Sequence, residues 1–246
     1  QELFNQAKME LQSAVDEHFE DEDKARMQVI LALLISGMPT ASSSLGRHGG
    51  FPGGLACHVR DVWSLARTMA AEAKRVIHSR FADPPEVYDR EVLSQEILNL
   101  NPSSVLRVCL MHDLNKVMSI NGEPHYIPNI LEKGGLSPRK PWKSNPAAEP
   151  AVSILSAMIQ TGFEDHAMAS VFTSPSSVRM RDGQVSLAVA ERASPGILAT
   201  MTLAEKHAVI YHDGAFVSMS DGVCSNENSL QMVLHAADMI ASRFLT

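Results

Sequence analysis

Cysteine is scarce in this 246-residue chain: Cys57, Cys109 and Cys224 are its three, and they lie far apart. An odd, dispersed set builds neither a disulfide framework nor a thiolate metal cluster, and a reducing, cytoplasmic setting is the expectation. Long apolar runs are missing as well. The longest, Val29 to Ile35, is about a third of a membrane span, so no membrane partner is expected. The opening QELFNQAKMELQ has no basic-then-apolar pattern of a signal peptide. Aromatics make up 5% of the chain, and two isolated tryptophans, Trp63 and Trp142, give no base-stacking platform. Positive charge is in deficit: 21 Lys and Arg against 28 Asp and Glu leave a formal net charge of -7. That balance argues against a protein that coats a nucleic-acid backbone. No glycine loop ends in Gly-Lys-Ser/Thr, and no serine sits in a Gly-x-Ser-x-Gly elbow.

What the chain does have is apolar material, 45% of its residues, patterned for helices. Leu3, Ala7, Leu11, Ala14 and Val15 recur at helical spacing, and Val29, Ile30, Leu33 and Leu34 form a second apolar face. The acidic cluster at 20–23 interrupts them, and Gly37 with Pro39 stops the second. The segment 41–54 reads as a glycine-rich loop. Leu55 to Ile77 keeps one long helical period. Arg90 to Met118 is helical with a restart at Asn101-Pro102, a cap followed by a proline suited to the first turn. The proline-rich segment 121–150 reads as irregular and carries Arg139, Lys140 and Lys143 around Trp142, a candidate flap over an anion. A short helix is expected over 152–162. Alternation around Asp182-Gly183 predicts a small hairpin, and Asp213-Gly214 or Asp221-Gly222 a second. Helices close the chain at 202–211 and 228–244. The expectation is an all-α helical bundle with long irregular loops and one or two small hairpins. It is a single domain in which 1–40 packs as an N-terminal extension on a motif-bearing core over 45–244.

The chemistry centres on Met111-His112-Asp113-Leu114-Asn115-Lys116. An imidazole and a carboxylate on an apolar helix must be paired or bound, because an unpaired buried charge is costly. Together they suit Mn, Fe, Co, Ni or Zn better than Ca. His58 begins the long helix on its apolar stripe, and Asp238 lies among alanines in LHAADMIAS. His58, His112, Asp113 and Asp238 would supply two imidazoles and two carboxylates from three separate helices to one divalent ion. Asp113 and Asp238 each need a compensating charge that the neighbouring sequence does not obviously supply. Lys116, one turn beyond His112, can face the same cleft. His212 can approach from an opposite helix, and His48 from the glycine loop. Asp213 reads as the first residue of an Asp-Gly turn, Glu205 as a first-turn carboxylate, and His207 and His235 as structural.

These motifs together resemble the HD-domain superfamily of metal-dependent phosphohydrolases. The resemblance runs over roughly 45–244 through RHGGFPGGLACHVRDVWSLA, CLMHDLNKV, TLAEKHAVIYHDGAF and LHAADMIASR. It implies that His58, His112, Asp113 and Asp238 hold one divalent metal, with a second metal less certain. It also implies hydrolysis of a phosphate monoester, nucleotide or phosphodiester. Lys116, His212 and His48 would then act on the phosphate, and a nucleotide is the preferred substrate class. A homo-oligomer is compatible with it. Two other outcomes fit the same motifs: a non-catalytic nucleotide- or protein-binding module, and a di-iron oxygenase, which would need more ligands than these four.

Overall fold

The computed structural model describes residues 2–37, 53–80, 90–118, 127–128, 172–173, 182–213 and 228–244. The described residues form an all-α fold. Its helices are α1 (Glu2–His18), α2 (Asp21–Gly37), α3 (Gly54–Arg80), α4 (Arg90–Asn99) and α5 (Pro102–Met111), with a 3₁₀ turn at Leu114–Lys116. They continue with α6 (Asp182–Ala193), α7 (Ile197–Thr200), α8 (Leu203–Ile210) and α9 (Ser229–Phe244). One short antiparallel pair, β1 (Ile127–Pro128) with β2 (Phe172–Thr173), sets Ile127 opposite Thr173. No helix among the described residues is long and apolar enough to cross a membrane.

The hairpin expected at Asp182-Gly183 is instead the start of α6. The Asp-Gly turn signal gives way because Val185, Ser186, Leu187, Val189 and Ala190 are all buried. A helix buried on several sides can show the alternation of a strand. The hairpin at Asp221-Gly222, the residues after Asp213, the helix over 152–162, the basic cluster around Trp142 and His48 lie outside the described residues.

Local chemistry sets the helix ends. Asp21 takes a positive φ of 46°, a conformation aspartate tolerates better than most residues, and the chain turns there from α1 into α2. Asp21, Glu22 and Asp23 then lie in the first turn of α2, where the helix dipole favours negative charge. Asn101 caps α5 by accepting the Ser104 N–H at 2.8 Å, with Pro102 opening the helix. Thr202 and Glu205 form a reciprocal capping box on α8.

α3 lies at the centre. Its buried Leu55, Val59, Val62, Ala66 and Ala70 pack against α9, α5 and α1. α9 contributes Leu230, Val233, Leu234, Ala237 and Ala241. Each large aliphatic side chain so buried contributes about 1.5–3 kcal/mol. Arg107, in mid-α5, is the polar exception. Its guanidinium sits 3.1 Å from both oxygens of buried Glu205, contacts Asp23, and lies over the Phe19 ring. It ties α2, α5 and α8 together. The packing also brings the start of α3, the ends of α5 and α8, and the middle of α9 to one place.

Candidate metal centre

His58 stands in the first turns of α3, and its side chain is fully buried. Its Nε2 lies 3.0 Å from Asp238 Oδ1 and 3.5 Å from Asp113 Oδ2. His112 Nε2 lies 3.3 Å from the same Asp113 oxygen. The ligand atoms of His58, His112 and Asp238 fall within 4.8 Å of one another. The four residues proposed from sequence as metal ligands therefore meet, from three helices, although Asp113 and Asp238 lie far apart in the chain.

His58, His112 and Asp238 are a group that could hold a metal ion. Ligand atoms about 2.0–2.2 Å from an ion stand roughly 3.0 Å apart at a right angle and roughly 3.4 Å apart in a tetrahedron. The three separations above, 3.0, 3.3 and 3.5 Å, are edges of that size. Tautomers agree. His112 Nδ1 lies 2.8 Å from the Cys109 carbonyl oxygen. A carbonyl only accepts, so Nδ1 carries the proton, and in the neutral ring Nε2 presents a lone pair. That Nε2 is buried and makes no aligned hydrogen bond. His212 is held in the same way, its Nδ1–H donating to the Val209 carbonyl at 2.7 Å. Both rings are thus fastened at helix C-termini, whose partial negative charge favours a cation.

Electrostatics within the site are strongly coupled. Burial alone would push the His58 imidazolium pKa down, but Asp113 and Asp238 outweigh it and hold the value above ordinary histidine. Burial would raise Asp113, yet Lys116, His112 and His58 hold it well below the usual carboxylate range. Asp238 is likewise lowered against burial, chiefly by His58 and His112, while Asp113 opposes them. Burial, with Asp238 nearby, pushes the Cys109 thiol up, leaving it neutral.

Lys116 corrects one expectation. Its Nζ lies 2.5 Å from Asp113 Oδ2, so this carboxylate does have a basic neighbour three residues on. The break from α helix to 3₁₀ turn brings the lysine back over Asp113. Asp238 has no such partner on its own helix; it faces His58 and accepts from Ser242 Oγ at 3.2 Å. Its side chain is 19% exposed and that of Asp213 47%.

His212 joins the centre, with Nε2 3.9 Å from Asp113 Oδ1 and 3.6 Å from Asp213 Oδ1. His212, Asp213 and Asp238 form a second group able to hold an ion. Asp213 lies in a turn, as its Asp-Gly sequence predicts, and from there it joins this second group; His212-Asp213 repeats the dipeptide of His112-Asp113. Sequence reasoning missed Asp182. Burial pushes its carboxyl up, with the Asp113 and Asp213 charges adding to the rise. Glu205 serves the capping box and Arg107. His235 supports the site indirectly, its Nδ1–H donating to the His212 carbonyl at 2.7 Å.

No protein-family model, curated protein or solved structure matches the chain.

Proposed function

We propose that the protein is a metal-dependent phosphohydrolase of the HD-domain type, acting on a nucleotide or a related phosphate ester or phosphodiester. The observation that carries this reading is the meeting of two imidazoles and two carboxylates, His58 Nε2 lying 3.0 Å from Asp238 and 3.5 Å from Asp113 and the buried His112 Nε2 lying 3.3 Å from Asp113. His58, His112, Asp113 and Asp238 would hold the ion. Mn, Fe, Co, Ni and Zn suit that mixed nitrogen and oxygen set. When bound, such an ion supplies charge neutralisation at a phosphoryl oxygen and a lowered pKa for a coordinated water.

The chain's own residues do the rest. Lys116 steadies Asp113, and its partly exposed ammonium offers positive charge to a phosphate. His212 has its ring fixed through Nδ1, so its Nε2 can take a proton or join Asp213 and Asp238 around a second ion. The partial exposure of Asp213 and Asp238 supports entry of substrate beside them. Cys57 and Cys109 are buried free thiols, which supports a reducing, cytoplasmic setting. The nucleotide preference rests on the sequence resemblance alone.

A screen of phosphomonoesters, nucleotides and cyclic dinucleotides, run on protein purified without added metal and with its metal content measured, tests the reading. Metal-dependent release of phosphate or nucleotide is the expected result. A non-catalytic nucleotide-binding module is the second reading, favoured by the Lys116–Asp113 pair, which neutralises one carboxylate without an ion. Tight nucleotide binding with no turnover across the whole panel would select it.

A further inference from the structure

In a regular helix, adjacent side chains point roughly 100° apart. His112 and Asp113 nevertheless bring their ligand atoms to 3.3 Å. They do so because α5 breaks between them. Asp113 has φ −114° and ψ 20°, and the chain tightens into a 3₁₀ turn in which the Lys116 N–H donates to the Asp113 carbonyl. A continuing helix would have sent that N–H to the His112 carbonyl. Breaking the helix leaves backbone groups on both sides of Asp113 to be satisfied from elsewhere.

One side chain from α6 satisfies two of them. The Ser186 hydroxyl donates to the His112 carbonyl at 2.8 Å and accepts the Asn115 N–H at 3.1 Å. The Asn115 side-chain amide oxygen stands 3.1 Å from the same hydroxyl. Ser186 is fully buried, and a hydroxyl has one proton and two lone pairs to give, so these contacts use most of its capacity. One turn earlier, Gly183 lies against α8. An added Cβ there would be 2.1 Å from the Val209 carbonyl oxygen and 2.6 Å from Ile210 Cα. Val209 provides the carbonyl that takes the His212 Nδ1–H. The start of α6 therefore touches both helix ends that carry histidines into the centre.

We propose that the first turns of α6 brace the metal centre. Ser186 is a positioning residue that holds the break between His112 and Asp113, and Gly183 is a positioning residue that seats α6 on the carbonyl anchoring His212. This inference rests on the metal reading above. Without the Ser186 hydroxyl, the turn can relax toward continued helix, and the His112 and Asp113 side chains then diverge.

The test uses Co(II) as the probe, with its affinity measured by chelator competition and its ligand geometry by visible absorption. Losing a residue that supports a ligand costs roughly 10–100-fold in metal affinity. Ser186→Ala and Gly183→Ala should each show a loss in that range and an altered Co(II) spectrum. Val189→Ala, in the same helix and equally buried, serves as the control. It should lower Tm yet keep the wild-type affinity and spectrum. Wild-type affinity and spectrum in Ser186→Ala would overturn the proposal, as would an equal loss in Val189→Ala. The wild-type protein gives a second measure that does not depend on a variant folding. Co(II) should slow hydrogen exchange at the Asn115 amide more than at Leu106 in mid-α5, and equal slowing at both would count against the brace. A wild-type protein that takes up no Co(II) would sink the metal reading, and this inference with it.

Discussion

At the scale of single residues, Lys116 and Arg107 are both cations beside carboxylates, and they carry different expectations. Lys116 is partly exposed and pairs with Asp113. Removing one charge-stabilising donor from such a site costs on the order of 10²-fold in turnover. Lys116→Ala is expected to show a loss of that order in kcat when assayed at saturating metal, where a weakened hold on the ion through Asp113 does not contribute. Wild-type turnover in that variant would confine Lys116 to neutralising Asp113. Arg107 is buried against Glu205 and Asp23. Breaking a buried pair by removing one partner costs about 3–5 kcal/mol, because the other charge is left behind. Glu205→Ala should therefore lower stability by about 3 kcal/mol in chemical denaturation, with Co(II) affinity of the folded protein unchanged. A loss below about 1 kcal/mol would mean that Asp23 alone suffices for Arg107.

At the scale of elements, the helix ends make separable predictions. Asn101→Ala removes the cap of α5 and should cost about 1 kcal/mol, measured by denaturant melts. Glu191 accepts the backbone N–H groups of Gly196 and Leu198, at 2.7 and 3.1 Å. Those hydrogen bonds, the Gly196 one first, lower its pKa. A lowered folded-state value gives stability that is present above the ordinary glutamate pKa and lost as pH falls through the folded value. The Tm difference between wild type and Glu191→Gln should thus be constant near neutrality and shrink under acid. A difference independent of pH would show that the carboxylate charge contributes nothing. Elements of this kind were legible in the sequence where local chemistry decides. Asn101-Pro102 and Thr202 with Glu205 announce α5 and α8 without help from the rest of the chain. At Asp182-Gly183 the turn signal misleads, because the glycine serves a close helix crossing. That crossing exists only once α8 is in place.

At the scale of the whole molecule, the site is a product of packing. His58, His112, Asp113 and Asp238 could be picked out as buried polar residues on apolar stripes, and the structure does bring them together. Asp213, Ser186 and the Lys116–Asp113 contact could not be read with the same security. Each depends on where a helix stops and on what a distant helix lays against its end. A ligand bound only by the folded state stabilises it by about 2.7 kcal/mol at a hundred times its Kd, so metal should raise Tm. The most direct test of the metal centre is the binding of Co(II) to wild type and to Asp238→Asn, followed by equilibrium dialysis. The wild type should bind the ion with defined stoichiometry. Asp238→Asn, which removes a ligand charge but keeps the shape, should bind it more weakly by at least the roughly 10–100-fold that loss of a supporting residue costs. Full stoichiometry at unchanged affinity in Asp238→Asn would contradict the metal centre built from His58, His112, Asp113 and Asp238.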